Sequence, residues 1–583
     1  MTTPSTTTPA SSSAIDKAPG PGARKWFALA ATCFGLFMAL LDVTIVNVAL
    51  PTIQRSLHAG FADLQWVINA YTIALAVFLV TAERLGDILG RKRIFMAGLG
   101  VFTLGSLLCA LSDDITIGGL SHITLLLYFR VLQGVGGSVM LPLSLAIISS
   151  TFQGKQRGTA IGIWGGVTGL ATALGPLIGG VLVQQVNWQS IFFLNVPIGV
   201  AGILLTAWAV RESRDERAPR SIDLFGLVTL TVSVFCLALA LIQGSDKGWG
   251  SAYILTLFVV AVVALILFVV GELRIKNPMV DPRLFTNASY TGAAIAGFTL
   301  SAGLYALFFF LALYFQNALG FSALDTGLRF LPLSALALVG APLAGALTGR
   351  IGPRPLLVGG MALLTIAVAL MTRISPRGTA NDWVVLLPAF IIGGIGNGLV
   401  NPPISTITVG TVERARAGVA SGVNGLCRQV GTAFGIAFLG ALLTSRYNDA
   451  IRGGVNGLHA PHLTGAIRQR IISGVQQAGT IAGSTGLKGG AGYASPYQGT
   501  PLYAQVQGIA HAAFIGGLID ILKVATVILA VGVAASALLV KRSDLLAPAW
   551  DEGAGPDHIG THATTETGVV PSRSAPSPRE GAG

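Results

Sequence analysis

The chain alternates long apolar runs with short polar punctuation. The runs fall at roughly 27–49, 64–85, 93–111, 121–144, 157–183 and 190–210, then 222–243 and 253–271. Six more follow at roughly 290–315, 324–348, 355–372, 384–408, 414–444 and 512–540. Each is close to the ~20 residues that cross a bilayer core as a helix. The pattern predicts an all-α polytopic membrane protein with fourteen spans in a six, two, six arrangement. A charged linker from Arg211 to Arg220 precedes the central pair, and a second from Glu272 to Asn287 follows it.

The two outer groups echo each other. Arg157-Gly158-Thr-Ala-Ile-Gly162 opens the fifth span, and Ala417-Gly418-Val-Ala-Ser-Gly422 sits near the start of the thirteenth, the fifth of the second group. Gly86-Asp87-Ile-Leu-Gly90-Arg91 after span two has a degraded counterpart, Gly349-Arg350-Ile-Gly352-Pro353-Arg354, after span ten. Paired repeats that rock about a site at the bilayer midplane are a common transporter design. The expected organisation is a disordered cytoplasmic tail (1–26), a six-helix bundle (27–210), two added helices with cytoplasmic linkers (211–288), and a second six-helix bundle (289–540). A cytoplasmic disordered tail (541–583) ends the chain. Within the second bundle, 445–511 is Gly-rich and polar; it predicts a large extracytoplasmic loop with little regular structure, or a hairpin.

Composition changes the picture in three ways. Only 11% of residues are charged, against about 25% in a soluble domain, so much of the surface must face lipid. The 75 glycines suit helices that pack backbone to backbone in a bilayer. The net charge of +12 excludes little by itself, but its distribution argues against nucleic acid, which wants basic residues clustered on one face. About 24 of the 37 Lys and Arg fall in segments that one topology places in the cytoplasm, the asymmetry that orients membrane helices. That topology puts both termini of a multi-pass cell-membrane protein in the cytoplasm. The four cysteines lie inside apolar runs without disulfide or metal spacing, and no metal or cofactor is expected.

Ionisable residues at membrane depth are costly, so each is a functional candidate. Asp42 lies eight residues before Leu50 at the outer end of span one, and Arg130 nine residues after Ser121 at the outer end of span four. At about 1.5 Å rise per residue, both sit roughly 12–14 Å below the outer face. An ion pair there is either static or carries protons: an adjacent guanidinium favours the carboxylate, burial favours the acid, and a change of separation moves a proton. Arg428 is also deep, without an evident partner. Gly86, Asp87, Gly90 and Arg91 form a tight cytoplasmic turn between spans two and three, read as a conformational latch. Gly162, Gly175, Pro176, Gly179 and Gly180 load span five with small residues and a bend.

Several stretches are similar to the major facilitator superfamily and, within it, the fourteen-helix drug:proton antiporter-2 family (EmrB/QacA-like). Leu41-Asp42-Val-Thr-Ile-Val-Asn47-Val-Ala-Leu-Pro51 resembles the family's first-helix motif, and Arg130-Val-Leu-Gln133-Gly134-Val-Gly136-Gly137 its motif B, whose Arg is implicated in proton transfer. Gly175-Pro176-Leu-Ile-Gly179-Gly180 resembles motif C, the antiporter signature; Phe193-Leu-Asn195-Val-Pro197-Ile-Gly199 and Arg428-Gln429-Val-Gly431 resemble further stretches. The chain departs from the pattern at Glu83, where Gly is usual, at Ile88, where Arg is common, and at Ala171, where Gly is found in the longer motif C. Glu83 either adds a titratable group or pairs with Arg84.

The resemblance implies two six-helix bundles plus two central helices, and proton-driven export of amphipathic or cationic small molecules by alternating access. Its partners would be those molecules, protons and membrane lipids; a periplasmic or cell-envelope partner, if there is one, is unidentified. No Gly-x-x-x-x-Gly-Lys-Ser/Thr loop is present, so the proton gradient is the expected energy source and no enzymatic activity is expected. The alternatives are a proton-coupled exporter of one endogenous metabolite, lipid or siderophore and, more remotely, a membrane sensor or scaffold.

Overall fold

In the computed structural model of the chain, residues 21–152, 154–214, 223–276, 278, 280–375, 382–412, 417–458, 464–484 and 501–541 are described. The first bundle comprises α1 (Pro21–Leu57), α2 (Phe61–Leu89), α3 (Arg91–Ala110), α4 (His122–Thr151) and α5 (Gly154–Gln185), with a sixth span split into α6 (Ser190–Phe193) and α7 (Asn195–Ala209). The added pair is α8 (Leu224–Lys247) and α9 (Ala252–Arg274). In the second bundle, α10 (Ala288–Leu300) and α11 (Ala306–Leu313) make one span, joined by a π turn at Ser301–Tyr305 and ended by another at Tyr314–Ala318. It continues with α12 (Ala323–Ile351), α13 (Pro353–Met371), α14 (Asp382–Gly410), α15 (Ala417–Asn456), α16 (Gly465–Ser484) and α17 (Pro501–Leu539).

Among the described residues, thirteen helical segments are long and apolar enough to cross a membrane, and α5 supplies a further apolar segment over Leu174–Gln185. This is consistent with fourteen spans in the expected order. The expected tails fall largely outside the described residues. The N-terminal tail is shorter than expected, because α1 already begins at Pro21.

Lipid tails are as apolar as leucine, so burial of apolar area does little to hold transmembrane helices together; close packing of small residues does more. The two bundles solve this alike. A methyl group on Gly134 would meet the Tyr71 carbonyl of α2, and one on Gly136 the Phe102 backbone of α3, so α4 lies tightly between them. In the second bundle, Gly394 and Gly398 of α14 bring it against Leu333 and Gly340 of α12, and Gly396 brings it against Gly360 of α13. The fourth helix of each bundle thus occupies the same place, as the internal echo predicted.

The bundles meet where α5 ends and α12 begins. Gly180 packs on Ala323 and Leu324, Gly327 on the Pro176 carbonyl, and the Leu324 N–H donates to Gln184 Oε1 at 3.1 Å. Nearby, Gln316 Nε2 donates to the Val48 carbonyl at 2.8 Å, and Gln65 Nε2 to that of Ile436 at 2.9 Å. The added pair does not separate the bundles. It leans on them from outside: α8 packs on α2 and α15, and α9 on α8.

The stretch 445–511 differs from the expectation of little regular structure. Where described, it is helical: α15 continues to Asn456, α16 follows, and α17 starts at Pro501. At 40 residues, α15 is about 60 Å long at ~1.5 Å per residue, twice the ~30 Å hydrocarbon core, so it must project beyond it. Tyr447, Ile451 and Val455, one turn apart, are buried with Ile471, Ile472 and Val475 of α16 and Val506 and Ala510 of α17. That apolar seam outweighs the glycines that lowered the helical expectation.

Gly136→Leu is expected to force α3 away from α4 and cost roughly 1–3 kcal/mol or more. Thermal unfolding of the purified protein, followed by size-exclusion fluorescence, checks this; an unchanged midpoint would mean that α4 is not held by backbone contact.

Candidate functional site

Asp42 and Arg130 meet inside the first bundle. Arg130 Nη1 donates to Asp42 Oδ2 at 2.5 Å and to Gln133 Oε1 at 2.6 Å, and its Nε donates to the Val67 carbonyl at 3.0 Å. Its guanidinium also lies 4.3 Å from the centroid of the Tyr71 ring. Gln133 Nε2 donates to Asp42 Oδ1 at 2.8 Å and to Ser106 Oγ at 2.8 Å, and Asn195 Nδ2 donates to the same hydroxyl at 2.8 Å. Asp42 and Gln133 are 0% exposed and Arg130 is 1%. Both charges are therefore wholly withdrawn from solvent and neutralise each other.

The chain folds this way for local reasons. Gln133 follows Arg130 by three residues and shares its helix face. Gly105, beside Ser106, lets α3 rest on the backbone of Gln133. Asn195 stands at the break between α6 and α7, where the chain redirects a polar side chain inward. Gln133 and Asn195 stood inside the quoted motifs but were not singled out, and Ser106 carried no sequence signal of its own.

The four residues expected to form a latch lie together at the α2–α3 junction. Asp87 and Arg91 are paired at 2.7 Å, Gly86 packs on Leu143 of α4, and Gly90 has φ +112°, a left-handed conformation suited to glycine. The N-terminus of α3 is capped not by Asp87 but by Glu212, which accepts from the Lys92 N–H at 2.9 Å and the Arg93 N–H at 3.3 Å. Glu83 is buried, and its Oε2 has no hydrogen-bond partner; among the described residues it forms no ion pair with Arg84.

The small residues of α5 serve two contacts. Gly175 and Gly179 face Thr44 and Ile45 of α1, while Gly180 and Pro176 face α12. Gly162 lies in α5, and its surroundings fall outside the described residues. Arg428 stands apart from all of these on α15. Its Nη2 is 3.5 Å from the Tyr305 hydroxyl.

Residues 32–436 match the Major Facilitator Superfamily. The chain is 34% identical over 504 residues to the tetracenomycin C resistance and export protein of Streptomyces glaucescens, covering 81% of this chain and 91% of that protein. It is 37% identical over 440 residues to the multidrug resistance protein Stp of Mycobacterium tuberculosis, covering 75% and 78%. In structure it is similar to a bacterial homolog of the human lysosomal transporter Spinster, with a TM-score of 0.58 at 18% identity over 90% of this chain and 99% of that one. That likeness concerns the fold.

Arg130→Met leaves a carboxylate buried without its cation and is expected to cost about 3–5 kcal/mol. Converting Asp42 to Leu in the same chain should recover much of the loss, because neither charge is then stranded. Thermal unfolding of the single and double variants decides it; equal losses would mean that the pair is not electrostatically coupled.

Proposed function

The chain belongs to the Major Facilitator Superfamily, and from that premise we propose that it exports amphipathic small molecules in exchange for protons, with Asp42 as the proton carrier. The observation that carries this is the buried pair of Asp42 and Arg130, bridged by Gln133. The adjacent guanidinium favours the ionised carboxylate, while burial favours the acid. If a movement of α1 against α4 withdraws the guanidinium, the carboxylate must either strand its charge, at several kcal/mol, or take up a proton. Return of Arg130 expels that proton. Gln133 bonds both partners, so it holds the geometry in which the pair closes.

Two features support coupling this step to alternating access. The carrier helix α1 is gripped by Gly175 and Gly179 of α5, and at the same level a neighbouring face of α5, at Pro176 and Gly180, packs on α12 of the other bundle. Rocking of the bundles therefore pulls on the helix that bears Asp42. With both termini in the cytoplasm, as the distribution of Lys and Arg supports, the contact between α5 and α12 lies at the outer face. Opening outward then requires separation of Gly327 from Pro176 and of Gln316 from Val48. Asp87 and Arg91 are placed at the opposite face, where the turn between α2 and α3 rests on Leu143.

The driving force is ample without a cofactor. A membrane potential supplies about 2.3 kcal/mol per charge per 100 mV, and each unit of pH difference adds about 1.4 kcal/mol per proton. One relative is named for tetracenomycin C resistance and export and another for multidrug resistance, which supports amphipathic compounds of that kind as cargo here.

Acid-loaded inverted vesicles containing the protein are expected to release luminal protons, read by a pH-sensitive dye, when cargo is added. Asp42→Asn should abolish that release while inserting normally. An Asp42→Asn protein that still exchanges cargo for protons would remove Asp42 from the mechanism.

A further inference from the structure

The second bundle contains a polar cluster that the proton pathway does not use. Arg428 lies eleven residues after Ala417, the start of α15, so it sits about 16 Å along the helix at ~1.5 Å per residue, near the middle of a ~30 Å core. Among the described residues, no carboxylate oxygen lies within 4.0 Å of it. Its polar contact is the Tyr305 hydroxyl at 3.5 Å, and its guanidinium is 5.9 Å from the Tyr305 ring centroid. Arg130 has a carboxylate, an amide and a carbonyl within 3.0 Å, and Arg329 has Asp325 at 3.4 Å. Arg428 is thus a half-buried cation at membrane depth without a counter-charge, which is costly to maintain unless something else supplies one.

Its neighbours are also incompletely satisfied. Tyr305 ends the π turn, a distortion frequently found at functional sites. It donates to Asn397 Oδ1 at 3.2 Å, and Asn401 Nδ2 reaches the same Asn397 oxygen at 3.3 Å. Asn424, one turn before Arg428, is only 6% exposed, yet its Nδ2 has no partner. Both side chains stand against Gly297 of α10. Asn401 Oδ1 is likewise buried and unpartnered.

The place of the cluster in the fold is informative. Tyr305 is on the first span of the second bundle and Asn397 and Asn401 are on the fourth; Asp42 and Arg130 hold the same places in the first bundle. One bundle carries a closed ion pair at this position. The other leaves this position uncharged and carries beside it, on the fifth span α15, a cation that calls for a negatively charged partner and an amide N–H group that calls for an acceptor.

We infer that Arg428 and Asn424, with Tyr305 and Asn401 beside them, form the cargo's polar anchor and select an amphiphile bearing an oxyanion, a carboxylate or phenolate on an apolar body. The guanidinium takes the oxyanion in a charge-assisted pair, the Asn424 amide adds a second donor, and the Asn401 oxygen accepts from a neighbouring hydroxyl. The inference rests on the chain being an exporter and narrows the class of its cargo.

Three probes on one scaffold test it: pyrenebutyric acid, its methyl ester and pyrenebutylamine. They are titrated by quenching of tryptophan fluorescence against the full chain in phosphatidylcholine nanodiscs. The wild type should bind the acid at least about tenfold tighter than the ester, a difference of about 1.4 kcal/mol, and the amine no better than the ester. Arg428→Gln should bind acid and ester equally, and its saturable binding of the ester shows that it is folded. Asn424→Asp, which sets a carboxylate one turn from Arg428, should lose the preference for acid and gain affinity for the amine. A wild type without the preference, or an Arg428→Gln protein that retains it, would overturn the inference. So would a preference that collapses when phosphatidylglycerol is added, since a lipid headgroup would then own the site. Failure of the exporter assignment is distinct: the acid would bind as described, yet a proton gradient would drive none of the three probes across proteoliposomes.

Discussion

Everything in the first bundle is arranged around one constraint, that Asp42 and Arg130 can be withdrawn from water only together. Separating them strands a charge in a medium that cannot solvate it, so on the mechanism proposed above the pair would act as a switch. On that mechanism either the two are in contact, or the carboxylate is protonated. The rest of the bundle sets the distance between them. Gly134 and Gly136 fix α4 against α2 and α3, Gly175 and Gly179 fix α1 against α5, and Gln133 bonds the carboxylate and the guanidinium at once. Glycine is the means because backbone contact, rather than apolar burial, is what holds helices in lipid.

The two bundles use the same scaffold for different electrostatics. Each places its fourth helix between the second and third through glycines, and each brings polar side chains from its first and fourth spans together. In the first bundle those side chains make a neutral, closed pair. In the second they are uncharged and leave open the charge of Arg428 on the neighbouring fifth span. On the reading proposed above, this difference lets the first bundle take a proton while the second takes cargo. The contact between α5 and α12 ties the halves: the helix that grips α1 is also the one that meets the second bundle.

Much of this was legible in the sequence, for identifiable reasons. Span order follows from hydropathy because the bilayer imposes a minimum apolar length. The depth of Asp42 and Arg130 follows from counting residues at a fixed helical rise, which placed them level but could not place them in contact. Gln133 was visible one turn along from Arg130. Ser106 and Asn195 were not, because their roles depend on how closely α3 approaches α4 and on the break between α6 and α7, both tertiary matters. The capping of α3 by Glu212 escaped for the same reason, being over a hundred residues away in the chain. The helical extension through 445–456 was masked by its glycines, although Tyr447, Ile451 and Val455 already carried the period of a buried helix face.

Whether Asp42 takes up and releases the proton can be observed directly. Infrared difference spectra of the protein in lipid, recorded on adding cargo at fixed pH, report the carbonyl stretch that a carboxyl group shows only when protonated. A band that changes in the wild type and is absent from Asp42→Asn is the expected result. A change of equal size in Asp42→Asn, or none in the wild type under conditions where cargo exchanges for protons, would contradict a mechanism centred on this pair.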